Sequence, residues 1–147
     1  MSYCEDLLSK YSDKIILPVD LYGSSSYSNA TLKEYCLVSS IPDSFMGLDI
    51  GDKTISLFCD YLRDAKTIFW NGPVGVYEFS NYINGSKELM SFLGSIPAIK
   101  ILGGGDSVSC MDMLSSASSV TYVSTGGGAT LEYIVDKKLP GLVYMED

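Results

Sequence analysis

Two glycine triplets, each closing a short apolar run, hold the residues best suited to chemistry in this 147-residue chain. The first lies in Lys100-Ile-Leu-Gly-Gly-Gly-Asp-Ser107. Ile99, Ile101 and Leu102 read as a buried strand, and Val108, Met111, Leu114 and Ala117 then recur at helical spacing. Such a strand-to-helix turn leaves backbone N–H groups unpaired at the positive end of a helix, and glycine lets an anionic ligand approach them closely. Asp106 adds a hard carboxylate oxygen, the kind of ligand that holds Mg²⁺ between nucleotide phosphates. The device then recurs. Val120 to Thr125 is strand-like, Gly126, Gly127 and Gly128 follow, and Leu131, Ile134 and Val135 mark another helix. Two such units suggest a phosphate-handling edge of a parallel sheet.

A third loop, Asn71-Gly-Pro-Val-Gly-Val-Tyr-Glu78, follows the strand-like Thr67–Trp70 directly. Two glycines and a proline make it stiff, and it exposes backbone at a strand's carboxyl end, where open α/β sheets bind ligands. Neither triplet is a dinucleotide fingerprint, because Val108 and Leu131 stand where the third glycine or alanine belongs, and neither ends in the Gly-Lys-Ser/Thr of a P-loop. Singly, each triplet suits a structural turn as well as a ligand loop. Asp106 alone reads as a helix cap, and Glu78 alone as a solvated charge. Taken together they favour ligand binding. No lysine or arginine lies inside these loops, so the chain could cradle phosphates but would stabilise a phosphoryl-transfer transition state poorly by itself.

The surrounding chain is read as the frame for these loops. A helix is expected over 3–12, with Leu7, Leu8 and Tyr11 on one side. Ile15–Leu17 reads as a buried strand stopped by Pro18, Gly23–Asn29 as a polar loop, Cys36–Val38 as a short strand and Ile41–Gly51 as a shaped loop. Asp52 is a candidate cap for a helix bearing Ile55, Phe58, Cys59 and Leu62, and Ser86 for one bearing Leu89, Phe92 and Leu93 that ends at Ile96-Pro97. Lys137 and Lys138 suit the end of the last helix, and Leu139–Tyr144 reads as a closing strand or tail. The alternation predicts one α/β domain with a mostly parallel sheet and helices on its faces.

Composition narrows the function classes. A net charge of −8 argues against nucleic acid or an anionic membrane as partner. No apolar run approaches a span of about 20 residues, and no signal-peptide pattern opens the chain, so a cytoplasmic protein is expected. Histidine is absent, which removes serine–histidine and cysteine–histidine nucleophiles. Cys4, Cys36, Cys59 and Cys110 lack zinc-site spacing and read as free, mostly buried thiols.

Trp70–Glu78, Gly103–Ser107 and Ser124-Thr-Gly-Gly-Gly-Ala129, in this order and spacing, resemble phosphoglycerate kinase, as do Leu17–Asp20, Met46–Gly51 and Leu139–Gly141. The resemblance covers essentially the whole chain. It implies that residues 1–147 are an incomplete C-terminal, nucleotide-binding lobe with a three-layer Rossmann-like sheet, the N-terminal substrate lobe being absent. It implies transfer of a phosphoryl group between 1,3-bisphosphoglycerate and ADP, giving 3-phosphoglycerate and ATP with Mg²⁺, by the full-length enzyme only. Gly47 and Leu48 would line the adenine pocket, Asn71, Gly72, Pro73, Val74 and Gly75 would border the nucleotide, and Glu78 would bind its ribose. Gly104, Gly105, Asp106 and Ser107 would meet the phosphates, with Asp106 on the metal. Gly126, Gly127 and Gly128 would offer amides to the transferring group. Ser44-Phe45 replaces a common Gly-Trp, and Tyr122 stands where a hinge-region histidine is usual. The alternatives are a non-catalytic nucleotide-binding remnant or a structural pseudoenzyme.

Overall fold

A computed structural model of the chain describes residues 2–29, 32–137, 139 and 141, except for the side chain of Ser2. The element order is α1 (Ser2–Lys10), β1 (Asp20–Ser24), β2 (Glu34–Leu37), β3 (Met46–Ile50), α2 (Asp52–Leu62), β4 (Thr67–Asn71), α3 (Asn84–Ser95), β5 (Ile99–Gly103), α4 (Gly105–Met113), β6 (Tyr122–Ser124) and α5 (Gly127–Asp136). Short 3₁₀ turns at Val38–Ser40 and Ala117–Ser119 complete it.

The second half is the strand–helix alternation that the apolar periodicity predicts. Strands β4, β5 and β6 form a parallel sheet in that order, with Phe69 opposite Ile101, Asn71 opposite Gly103, and Gly103 opposite Ser124. Helices α3 and α4 cover one face. Leu93 and Ala98 pack on Ile68, and Met90 and Met111 pack on Leu102, with Trp70 touching both clusters. Each such fully buried apolar side chain contributes about 1.5–3 kcal/mol. Lys100 breaks the apolar run without harm, since its Nζ donates to the carbonyls of Leu93 at 3.0 Å and Ile96 at 2.9 Å and so caps the end of α3. Ile99 and Tyr122 are exposed.

The first half departs from the expected parallel pattern. It is an antiparallel sheet in the order β2-β1-β3. Ile15–Leu17 is not a strand; the strand is Asp20–Ser24, and it enters the stretch read as a polar loop. The expected loop at Ile41–Gly51 contains β3. The physical reason is that β1 buries Asp20 and Ser24 completely, so polar residues occupy inward positions and erase the apolar alternation. Asp20 is held there by work of its own. Its carboxylate accepts the N–H of Lys53 at 3.1 Å and of Thr54 at 2.7 Å, and so caps α2 from a neighbouring strand. The expected cap Asp52 instead accepts the Tyr22 hydroxyl at 2.9 Å.

Two further expectations shift. Ser86 is the third residue of α3 and not its cap. Helix α4 ends at Met113, which leaves Ala117 in a 3₁₀ turn. The apolar stripe of α5 faces outward, with Leu131, Ile134 and Val135 all exposed. Cys36 and Cys110 are buried, Cys59 is half-buried and Cys4 exposed. Lys138 and the closing segment, apart from Leu139 and Gly141, lie outside the described residues.

Candidate functional site

The parallel register lines up Asn71, Gly103 and Ser124 at the carboxyl edge of the sheet. Just beyond it the chain turns sharply. Gly104 sits at φ +90°, and its N–H donates to the Ser124 carbonyl at 3.0 Å. A Cβ on Gly104 would lie 2.9 Å from Asn71 Oδ1, and one on Gly127 would lie 2.8 Å from Gly104 Cα and 2.9 Å from the same Oδ1. The two triplets therefore touch backbone to backbone around the Asn71 carboxamide, at spacings that admit only glycine.

Helices α4 and α5 both begin at this junction with glycine at the N-cap, and among the described residues neither N-cap makes a side-chain hydrogen bond. At Gly105 and Gly128 an added Cβ would meet nothing within 4 Å, and both residues are exposed. Two positive helix ends converge on one place, which is an anion-binding arrangement. Asp106 lies exposed in the first turn of α4. The phenol of Tyr77 is raised above its ordinary pKa by partial burial and by the charges of Glu78 and Asp106. Among the described residues no group of three or more acidic, histidine or cysteine side chains gathers to hold a metal. One carboxylate is what Mg²⁺ requires when phosphates and water supply its other ligands.

The loop from Asn71 to Glu78 is pinned at three points. The Gly72 N–H donates to Ser107 Oγ at 2.7 Å. Val74 exchanges two hydrogen bonds with Ser86, its N–H donating to Oγ at 3.0 Å and its carbonyl accepting from Oγ at 2.7 Å. The Val76 N–H donates to the Leu48 carbonyl at 2.7 Å. Ser107 is 1% exposed, and its side chain supports the loop.

Where the loop meets β3, a cavity of about 310 Å³ is lined by Leu21, Gly47, Leu48, Asp49, Ile50, Gly75 and Val76. Its lining is mostly apolar apart from Asp49, whose carboxyl is raised to about 6 by burial, against the pull of the Gly85 and Ile50 amides.

The sequence-derived candidates thus fall into two connected groups. Asn71, Gly72, Gly104, Gly105, Asp106, Ser107 and the triplet Gly126–Gly128 meet at the sheet edge, while Gly47, Leu48 and Gly75 share the cavity. Pro73 and Val74 join the two, and Val74 also lines a smaller apolar cavity of about 200 Å³ with Leu62, Trp70, Leu89 and Leu93. Glu78 is exposed and stands apart from the cavity lining. Sequence reasoning missed Leu21, Asp49, Ile50, Val76 and Ser86. A carboxylate alone between Leu48 and Ile50 was the available signal for Asp49.

This architecture places the chain among α/β proteins that gather helix N-termini at the carboxyl edge of a parallel sheet. The family model for phosphoglycerate kinase matches residues 1–137, and the chain belongs to that family. Phosphoglycerate kinase of Oenococcus oeni is 43% identical over 150 residues, covering 100% of this chain and 37% of the relative. That of Lactiplantibacillus plantarum is 44% identical over 144 residues, covering 97% and 36%. The solved phosphoglycerate kinase of Coxiella burnetii superposes with a TM-score of 0.86 at 28% identity, covering 96% of this chain and 37% of that one. The chain therefore spans little more than a third of the length of the relatives it matches.

Proposed function

We propose that residues 1–147 are the nucleotide-binding part of a cytoplasmic, glycolytic phosphoglycerate kinase, which moves a phosphoryl group between 1,3-bisphosphoglycerate and ADP to give 3-phosphoglycerate and ATP. The observation that carries this reading is the contact of Gly104 with Gly127 around Asn71, which sets two helix N-termini with glycine N-caps side by side. The nucleotide base enters the cavity between β3 and the Gly75 turn. The phosphates run along the Gly72–Gly75 loop to the amides of Gly105, Asp106 and Ser107. The amides of the Gly126–Gly128 triplet face the transferring phosphoryl group, where fixed N–H dipoles stabilise the charge that develops on its oxygens. Asp106 holds Mg²⁺ against the phosphates. The metal neutralises phosphate charge and fixes the geometry of transfer when bound.

No lysine or arginine belongs to these loops. Cations must therefore come from the rest of the full-length polypeptide, which also supplies the phosphoglycerate site, and this chain alone binds nucleotide without turnover. Calorimetric titration of the 147-residue chain with MgADP, beside a coupled assay with MgATP and 3-phosphoglycerate, tests both statements. Saturable binding with no turnover is expected. Absent binding contradicts the nucleotide role, and ordinary turnover contradicts the division of labour. The same lack of cations favours, as a second reading, a free-standing non-catalytic module. A native band near 16.0 kDa on an immunoblot supports the module, and one about three times heavier, within the usual range of multi-domain chains, supports the kinase.

A further inference from the structure

We propose that Asp49 is a positioning residue for the nucleotide base, because its carboxylate bonds β3 to the start of α3 and lies against the Gly75 turn, and β3 and that turn line the base cavity. The inference rests on the nucleotide reading above and names a residue which that reading does not use. Asp49 belongs to β3 and is 3% exposed. Its Oδ1 accepts the N–H of Ile50 at 2.9 Å, and its Oδ2 accepts the N–H of Gly85 at 3.0 Å, at the start of α3. The turn of the Asn71–Glu78 loop closes over the same group. Gly75 stands at φ +80°, and a Cβ there would meet Asp49 Oδ1 and the Tyr82 carbonyl, at 2.5 Å and 2.6 Å. A Cβ on Gly85 would strike the same oxygen. Two glycines are thus shaped around one carboxylate, and the wall formed by Gly75 and Val76 is held to the floor formed by Leu48 and Ile50 by that fit together with the bond from the Val76 N–H to the Leu48 carbonyl.

A buried carboxylate is an awkward choice for a purely structural strut. Burial raises it to about 6, although the Gly85, Ile50 and Asn84 amides and the Lys33 ammonium all favour the charged form. Strand β1 sets Tyr22 opposite it, with Lys33 Nζ 3.8 Å from that ring, and α3 presents amides to it. A proton on Asp49 turns one acceptor oxygen toward an N–H as a donor, so one strut loosens and the cavity opens. Adenosine is the appropriate probe, since it fills the base site and carries no phosphate to titrate in this range.

Adenosine binding to the chain should be constant above about pH 7 and weaken by about tenfold as the pH falls through 6, the loss of one hydrogen bond to a charged acceptor. The isosteric Asp49→Asn, which places an amide donor against Gly85 or Ile50, should bind weakly at every pH with no inflection. A role confined to stability would lower the melting temperature of Asp49→Asn yet leave the adenosine affinity of the folded variant unchanged, and that result overturns the proposal. If the variant does not fold, the wild-type profile alone decides, and a flat profile from pH 5 to 8 overturns it. Absence of adenosine binding at any pH refutes the nucleotide reading and this inference with it. Flat but tight binding refutes this inference alone.

Discussion

At Gly104 the backbone is held at φ +90°, and a methyl group would press on Asn71 Oδ1. Both effects oppose any other residue. Gly104→Ala should cost about 1–3 kcal/mol in urea unfolding, and it should displace the Asn71 carboxamide from the junction. Asp106 is the opposite case, exposed and in the open first turn of α4. Asp106→Asn should leave the melting temperature within a few degrees of wild type, yet weaken MgADP binding by about tenfold or more, because the variant lacks the charge proposed to hold the metal. Equal affinity of the two proteins would count against the metal role. Asp20 and Asp49 carry opposite signs in acid. Burial alone would raise Asp20, but the Thr54 hydroxyl and the Thr54 and Lys53 amides outweigh it, and its carboxyl lies below the ordinary value. Its stabilising contribution is present above the unfolded value of 3.8 and is lost as the pH falls through the lower folded one. Asp49 is raised from 3.8 to about 6, so its contribution is present below pH 3.8 and is lost as the pH rises through 6, an effect of about 3 kcal/mol. The difference in unfolding free energy between wild type and Asp49→Asn should therefore drift against the wild type from pH 4 to 7.

Among the elements, the Asn71–Glu78 loop owes its shape to partners far along the chain. Ser86→Ala removes both hydrogen bonds to Val74 in a buried setting and should cost about 1–3 kcal/mol, with faster amide exchange at Val74. Unchanged exchange there would show that the Ser86 bonds do not hold the loop. The glycine loops were legible in the sequence because turn chemistry is local, and so were β4, β5, β6, α3 and α4 from their apolar periods, although Ile99, Tyr122 and Val123 turn out exposed. Strands β1 and β3 were not. Their inward positions include Asp20, Ser24 and Asp49; Asp20 and Asp49 become tolerable only when Thr54 and Gly85 arrive from more than thirty residues away, while Ser24 bonds locally to the Ser26 carbonyl. Ser86 was visible as a small polar residue at a helix start and was misread as a cap, since nothing local reveals that Val74 lies against it. Helix α5 was legible from Leu131, Ile134 and Val135, and among the described residues nothing buries that stripe.

For the molecule as a whole, stability should be uneven. Helix α3 buries Leu89, Met90 and Leu93, whereas α5 buries no residue. Amides of α5 should exchange close to the unfolded rate in the 147-residue chain while those of α3 stay protected, and comparable protection in both helices would contradict this picture. The uneven distribution matters for function, because α5 supplies one of the two helix ends at the junction and its order should rise when an anion binds there. The most direct test of the account is therefore a two-dimensional amide NMR titration of the chain with MgADP. The account predicts saturable shifts at Gly105, Asp106, Ser107, Gly127 and Gly128 together with Gly47, Leu48, Gly75 and Val76, the first group reduced in Asp106→Asn. Shifts confined to other surfaces, or none at millimolar nucleotide, would contradict it.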